Sequence, residues 1–424
     1  MTELKRDIRT PGAILMGLGS IVGTGIFVSI AIATQISGNG VVIAIIVAAT
    51  LATLNGLSSA QLAAAHPVSG GTYEYGYRFL GSHFGFTAGW MFLIAKSASA
   101  ATAVLGCVSY LFYLFKVDAS TSTLVISGIV ILLMMTLLVS GGISRSNSAN
   151  KVIVAITLAG LAALIITGLF VKGVPTDPIL NMFEGSDTSS ILFASALMFV
   201  AYTGYGRIAT LGEEVAEPRK TIPKSIILAM AVIVVLYLTV TLTALNIMGA
   251  EAFGNTVEGE AAPLMKVAQA LSLPYIGPVI SIAAVTAMLG VLLNLLLGLS
   301  RVMLSMGRRK DLPIVLARIN PKTQSPVPAV LATGVVIGLL VLSGDVVFTW
   351  SFSAFTVLIY YSITNLSAFM MPADLRLYPR WIPALGLFGC LFLAFWIELT
   401  IMLLGLAMIG IGLIWHRVAK SFVG

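Results

Sequence analysis

Charge is what this sequence has least of: Asp, Glu, Lys and Arg make up 10% of 424 residues, while 58% are hydrophobic. A soluble domain carries roughly a quarter of its residues as charges, so that class is excluded, and the mean hydropathy of +1.02 agrees. Cysteine is nearly missing too. Cys107 and Cys390 fall inside apolar stretches, which excludes a disulfide framework and leaves packing as their role. The three histidines, His66, His83 and His416, are scattered, so neither a metal nor a cofactor is expected. There is no P-loop, no HExxH helix and no Gly-x-Ser-x-Gly elbow, and no nucleophile and base stand at recognisable spacing. ATP-driven transport by this chain alone is not expected, nor is catalysis.

What the sequence has in abundance is long apolar runs. The hydrocarbon layer is roughly 30 Å thick and a helix rises about 1.5 Å per residue, so about twelve crossings are predicted. In the first half they run Pro11 to Ser37, Gly40 to Ala65, Phe84 to Phe115, Ser122 to Gly142, Lys151 to Phe170 and Ser189 to Leu211. In the second half they run Ile222 to Met248, Leu273 to Met306, Pro328 to Ser343, Phe348 to Met371, Ile382 to Ile397 and Leu399 to Trp415. The expected architecture is an all-α polytopic membrane protein forming one transmembrane domain. The first run is too long and too glycine-interrupted for a cleavable signal peptide.

Basic residues gather in alternate connections, among them Arg9, Arg78, Arg219, Lys220, Arg308, Arg309, Lys310 and Arg380. The opposite connections carry Asp177, Asp187, Glu251, Glu258 and Asp345, with Lys116, Lys172 and Lys266 as the exceptions. By the positive-inside rule both termini are cytoplasmic. This topology accounts for the net charge of +7, so nucleic acid is not an expected partner; the lipid bilayer is. Oligomeric state is not legible.

Glycines cluster in the middle of the first run, Gly19-Ser20-Ile21-Val22-Gly23-Thr24-Gly25, and of the sixth, Ala201-Tyr202-Thr203-Gly204-Tyr205-Gly206. Glycine weakens a helix locally, and paired interruptions in two halves point to a substrate site between them. An unwound helix offers free N–H groups and a positive dipole end to a carboxylate, and free carbonyls to an ammonium. The same glycines also suit close helix packing. Ile21, Val200, Ala201 and Thr203 make the expected pocket small and apolar, which favours small or neutral amino acids over polyamines.

Gly19-Ser20-Ile21-Val22-Gly23-Thr24-Gly25-Ile26-Phe27 resembles the first-helix signature of the amino acid, polyamine and organocation transporter superfamily. Pro67 to Tyr73, Gly85 to Trp90, Pro218 to Pro223, Arg308 to Pro313 and Thr323 to Pro328 fit the same pattern in order, over essentially the whole chain. The resemblance implies two inverted five-helix repeats, about 11–170 and 189–371, followed by two extra helices at about 382–416, with helices one and six broken. It further implies transport of amino acids or related amines across a membrane, here expected to be a prokaryotic inner membrane. Ser20, Gly23, Thr24 and Gly25 would take the carboxylate and Ala201, Tyr202 and Gly204 the ammonium, with Tyr205 closing over the substrate. A sensor that keeps the fold without transporting is the alternative.

Coupling departs from the family pattern. Where proton-coupled members resembling this chain carry a lysine on helix five, alignment places Thr157, which holds no proton near neutral pH. Exchange or uniport is therefore favoured over proton or sodium coupling. Two cations lie within apolar runs, where insertion is costly. Arg207 reads as snorkelling to inner water. Lys96 reads as a proton carrier, a fixed cation in place of sodium, a contact for an anionic side chain, or a structural group. Glu74, Glu213 and Glu214 are gating candidates through pairs with Arg9 or Arg219.

Overall fold

In hydrocarbon only a helix satisfies its own backbone in a single pass, and every regular element among the described residues of the computed structural model is accordingly a helix. It describes residues 9–66, 70–117, 120–142, 147–184, 186–209, 215, 217–258 and 261–421. Among these, nine helices are long and apolar enough to cross a bilayer by length and composition. Three shorter apolar helices, Thr10–Ile21, Val327–Val341 and Trp381–Ala394, fall where the first, ninth and eleventh spans are predicted.

Burial sorts these helices into an inner and an outer set. In Ser82–Phe115 and in Val346–Met370, 83% of the most apolar window is buried inside the protein, against 28% in Thr121–Ser140 and 22% in Leu399–Ser421. The outer helices turn Ile126, Val130, Leu133, Leu399 and Leu403 outward, as lipid requires. The two inner helices are zipped by hydroxyls: Ser99 to Ser353 at 2.7 Å, Thr102 to Thr349 at 2.9 Å, and Ser353 to the Ala95 carbonyl at 2.9 Å. Small residues let the backbones approach, and buried hydroxyls then find partners across the seam.

The first span is divided as predicted. Thr10–Ile21 ends where Val22 turns extended at ψ 102°, a π-helical turn follows at Gly25–Ser29, and Ile30–Ser37 completes the outer half. The sixth span is interrupted as well. Thr188–Tyr202 gives way at the predicted place to a tighter 3₁₀ turn, Thr203–Tyr205, before the short Gly206–Ala209 helix. The cause is local: Thr203 Oγ1 donates to the Val200 carbonyl at 2.7 Å, and Tyr361 from another helix donates to the Thr203 carbonyl at 3.3 Å.

On the face where the first helix begins, the short amphipathic helix Thr72–Phe79 lies across the bundle. It is held by Asp311, a carboxylate only 3% exposed. Tyr73 and Tyr77 donate to its Oδ2 at 2.7 and 2.5 Å, His416 Nδ1 stands 3.3 Å from its Oδ1, and Trp415 Nε1 donates to its carbonyl at 2.8 Å. Burial, with these hydrogen bonds, pushes both phenols well above the usual tyrosine range, so they remain donors. Asp311→Ala strands both hydroxyls at a cost of about 1–3 kcal/mol. The expected result is a lowered unfolding midpoint of the purified protein, with a smaller loss for Tyr77→Phe; an unchanged midpoint in Asp311→Ala would remove this anchor.

Candidate functional site

The break in the first span has a physical consequence. In its outer half the first backbone donors to find a carbonyl are Ile26 and Phe27, both bonded to Gly23 at 3.0 and 3.1 Å. The N–H groups of Gly23, Thr24 and Gly25 precede that first turn, where a helix has no acceptor of its own. At the end of the inner half Tyr237 intervenes. Its hydroxyl lies 3.3 Å from the Ile21 carbonyl and 3.1 Å from the Ala201 carbonyl, bridging the first and sixth spans.

Glycine makes this crossing close. A Cβ on Gly204 would lie 2.4 Å from the Ser20 carbonyl oxygen, and one on Gly25 would lie 2.4 Å from the Tyr237 hydroxyl and 2.8 Å from Ala201 Cβ. Beside the crossing is a cavity of about 220 Å³, room for one small molecule and no peptide. Its wall runs from Thr24, Gly25 and Trp350 to Gly70, Gly71 and Arg301, on the face that carries the Thr72–Phe79 helix.

Of the residues singled out from the sequence, Ser20, Ile21, Thr24, Gly25, Val200, Ala201, Thr203 and Gly204 line this cavity, as do Lys96 and Arg207. Others stand elsewhere. Gly23 packs under Val291, the Tyr202 hydroxyl reaches the Ile45 carbonyl at 3.3 Å, and Tyr205 is fully buried with its ring 5.6 Å from that of Tyr361. Thr157 bonds the Ile153 carbonyl of its own helix at 2.7 Å. Glu74 pairs with Arg309, rather than with Arg9 or Arg219. Glu213 and Glu214 lie outside the described residues.

The cavity wall has a charge of one sign. Lys96, Arg207 and Arg301 contribute to it, and among the described residues no Asp or Glu does. Lys96 is 9% exposed and donates to Thr203 Oγ1 at 2.7 Å. A buried cation at mid-span costs roughly 2.5–3.5 kcal/mol on insertion scales, and one hydroxyl offsets little of that. Thr24 Oγ1 is also buried in the wall, with no hydrogen-bond partner among the described residues. Sequence reading missed Tyr237 and Asn294, whose Nδ2 donates to Ser20 Oγ at 3.2 Å. Asn294 had a signal, an amide amid leucines in an apolar run; Tyr237 had none.

A family profile described as amino acid permease matches residues 12–420. This chain belongs to the amino acid permease family. Relatives of the permease include an uncharacterized transporter of Mycobacterium tuberculosis, 36% identical over 418 residues, which are 99% of this chain and 92% of that protein. A branched-chain amino acid permease of Bacillus subtilis is 30% identical, covering 80% of this chain and 75% of its own. A chloroplastic cationic amino acid transporter of Arabidopsis thaliana is 25% identical, covering 92% and 69%. The permease is thus a membrane protein of amino acid transport.

Gly25→Val is expected to drive the half-helices apart and abolish amino acid binding by the purified permease while the protein still inserts and elutes as one species. Tyr237→Phe removes a single hydroxyl, worth about 0.5–1.5 kcal/mol, and is expected to weaken binding about two- to tenfold. Wild-type affinity in Gly25→Val would exclude the crossing as the site.

Proposed function

We propose that the permease is a substrate-gated carrier that moves amino acids by alternating access, through exchange or uniport, with the zwitterion held at the crossing of the first and sixth spans. The observation that carries this reading is the set of N–H groups at Thr24 and Gly25, beside the unpartnered Thr24 hydroxyl, in the wall of a cavity of single-molecule size. A carboxylate there meets backbone donors and a helix N-terminus. The ammonium would lie toward the Ile21 and Ala201 carbonyls, whose second lone pairs remain beyond the Tyr237 hydroxyl. Two five-helix repeats of opposite topology fit the broken first and sixth spans, and they fit the long Ser82–Phe115 and Ile276–Arg308 helices at the third and eighth positions.

With cytoplasmic termini, as the charge bias reads, this conformation faces inward, because the wall ends at Gly70, Gly71 and Arg301. The outward path is closed at Gly25, Tyr237 and Ala201. The ion pair of Glu74 with Arg309, which also lies 4.4 Å from the Tyr77 ring, ties the Thr72–Phe79 helix beside the inner mouth. A pair this exposed is worth about 0–1 kcal/mol, as a latch that opens every cycle must be. A polyamine carrier is the weaker alternative, since a polycation would meet Lys96 with no carboxylate among the described residues of the wall.

The test is uptake of labelled amino acids into liposomes reconstituted with pure protein, under a proton gradient, a sodium gradient, or internal amino acid alone. Uptake driven by internal amino acid alone is expected. Strict need for a proton gradient would overturn exchange, and saturable binding without uptake would favour a sensor. Arg309→Glu is expected to change turnover more than equilibrium affinity; the reverse would put the pair in the binding site itself.

A further inference from the structure

Lys96 belongs to a helix that is not part of the crossing, yet its ammonium enters the cavity. Its recorded partner is the Thr203 hydroxyl, which passes its own hydrogen to the Val200 carbonyl at 2.7 Å. An ammonium has three donors, so the contact with Thr203 leaves two for whatever occupies the cavity. Arg301 adds charge of the same sign, and no carboxylate among the described residues lines the wall. The backbone donors at Thr24 and Gly25 already suit one carboxylate. A second anion-binding group on another helix is therefore surplus for an amino acid with a neutral side chain, and repulsive to one with a cationic side chain.

We propose that Lys96 sets the charge class of the cargo: the permease takes amino acids whose side chain carries a second anionic group, of the aspartate and glutamate type, and rejects lysine, arginine and polyamines. This rests on the amino acid carrier reading and narrows it, moving the expected cargo from neutral to acidic side chains. The first carboxylate meets the half-helix N-terminus, and the second meets the Lys96 ammonium beside Thr203. A buried ion pair forms only when cargo is present, so the acidic side chain supplies a countercharge that the described residues of the wall do not. Exclusion of cationic cargo follows from like charges brought together away from water.

Glutamate and glutamine have nearly the same shape and differ in this charge, so their affinity ratio isolates the effect. Calorimetric titration of the full-length protein in nanodiscs with glutamate, glutamine and lysine is expected to show glutamate binding at least tenfold tighter than glutamine, and no binding of lysine. In Lys96→Met the glutamate-to-glutamine ratio is expected to fall to near one, while Lys96→Arg keeps a preference for glutamate. Equal or tighter glutamine binding by the wild type would overturn the proposal without recourse to any variant, and so would an unchanged ratio in Lys96→Met. Tight binding and exchange of neutral amino acids with no glutamate preference would sink this inference and leave the carrier reading intact. Failure of every amino acid to bind would sink both.

Discussion

A backbone polar group in hydrocarbon must be satisfied within the protein, and the break between Ile21 and Gly25 departs from that rule. The rest of the inner structure is arranged around it. Gly204 brings the sixth span into backbone contact with Ser20, so the two interruptions share one volume of space. Tyr237 covers two of the carbonyls, and its hydroxyl fits only because Gly25 has no side chain. A broken helix left alone would be a defect costing several kcal/mol. Enclosed by glycine contacts and one phenol, it becomes a small polar volume whose remaining donors are aimed inward.

Charges are treated by the same logic, with opposite outcomes at Asp311 and at Lys96. Asp311 is buried but well partnered, with two phenols donating to Oδ2 and His416 beside Oδ1, which makes it an anchor for the Thr72–Phe79 helix. Lys96 is buried with a single hydroxyl partner. A saturated buried charge stabilises one arrangement, whereas an undersatisfied one makes the protein's energy depend on what enters. The seam between Ser82–Phe115 and Val346–Met370 lies close by, and its paired hydroxyls hold the helix that carries Lys96 in a fixed position.

How much of this could be read in the sequence depended on whether the signal was local. Spans follow from apolar length, and the break at Gly23 follows from three glycines within a short run. The interruption of the sixth span was legible, but its 3₁₀ form was not, because Tyr361 meets Thr203 across 158 residues of chain. Tyr205 was assigned to the substrate by resemblance; its ring is buried behind Tyr361, a residue of the cavity wall. Glu74 was recognisable as a loop charge, but its partner Arg309 is 235 residues away, and no spacing rule connects them. Asn294, 274 residues from the Ser20 it contacts, was at least visible as a polar residue in an apolar helix.

The 3₁₀ turn of the sixth span is the place where these strands of the structure meet. Tyr237 holds the Ala201 carbonyl, Tyr361 the Thr203 carbonyl and Lys96 the Thr203 hydroxyl, so three helices each contribute one bond to a stretch of three residues. Hydroxyl and ammonium groups can change partners at small cost, unlike the packed glycine contacts beneath them. A ligand anion that draws the Lys96 ammonium toward itself loosens one of the three bonds, and an ammonium set against the Ala201 carbonyl competes with a second. Cargo would then differ in its interaction energy with the tightened and the relaxed turn, and that difference is the quantity that lets a ligand shift a conformational equilibrium. On the proposed carrier reading no separate trigger is needed: the groups that would recognise the cargo are the groups that hold the turn.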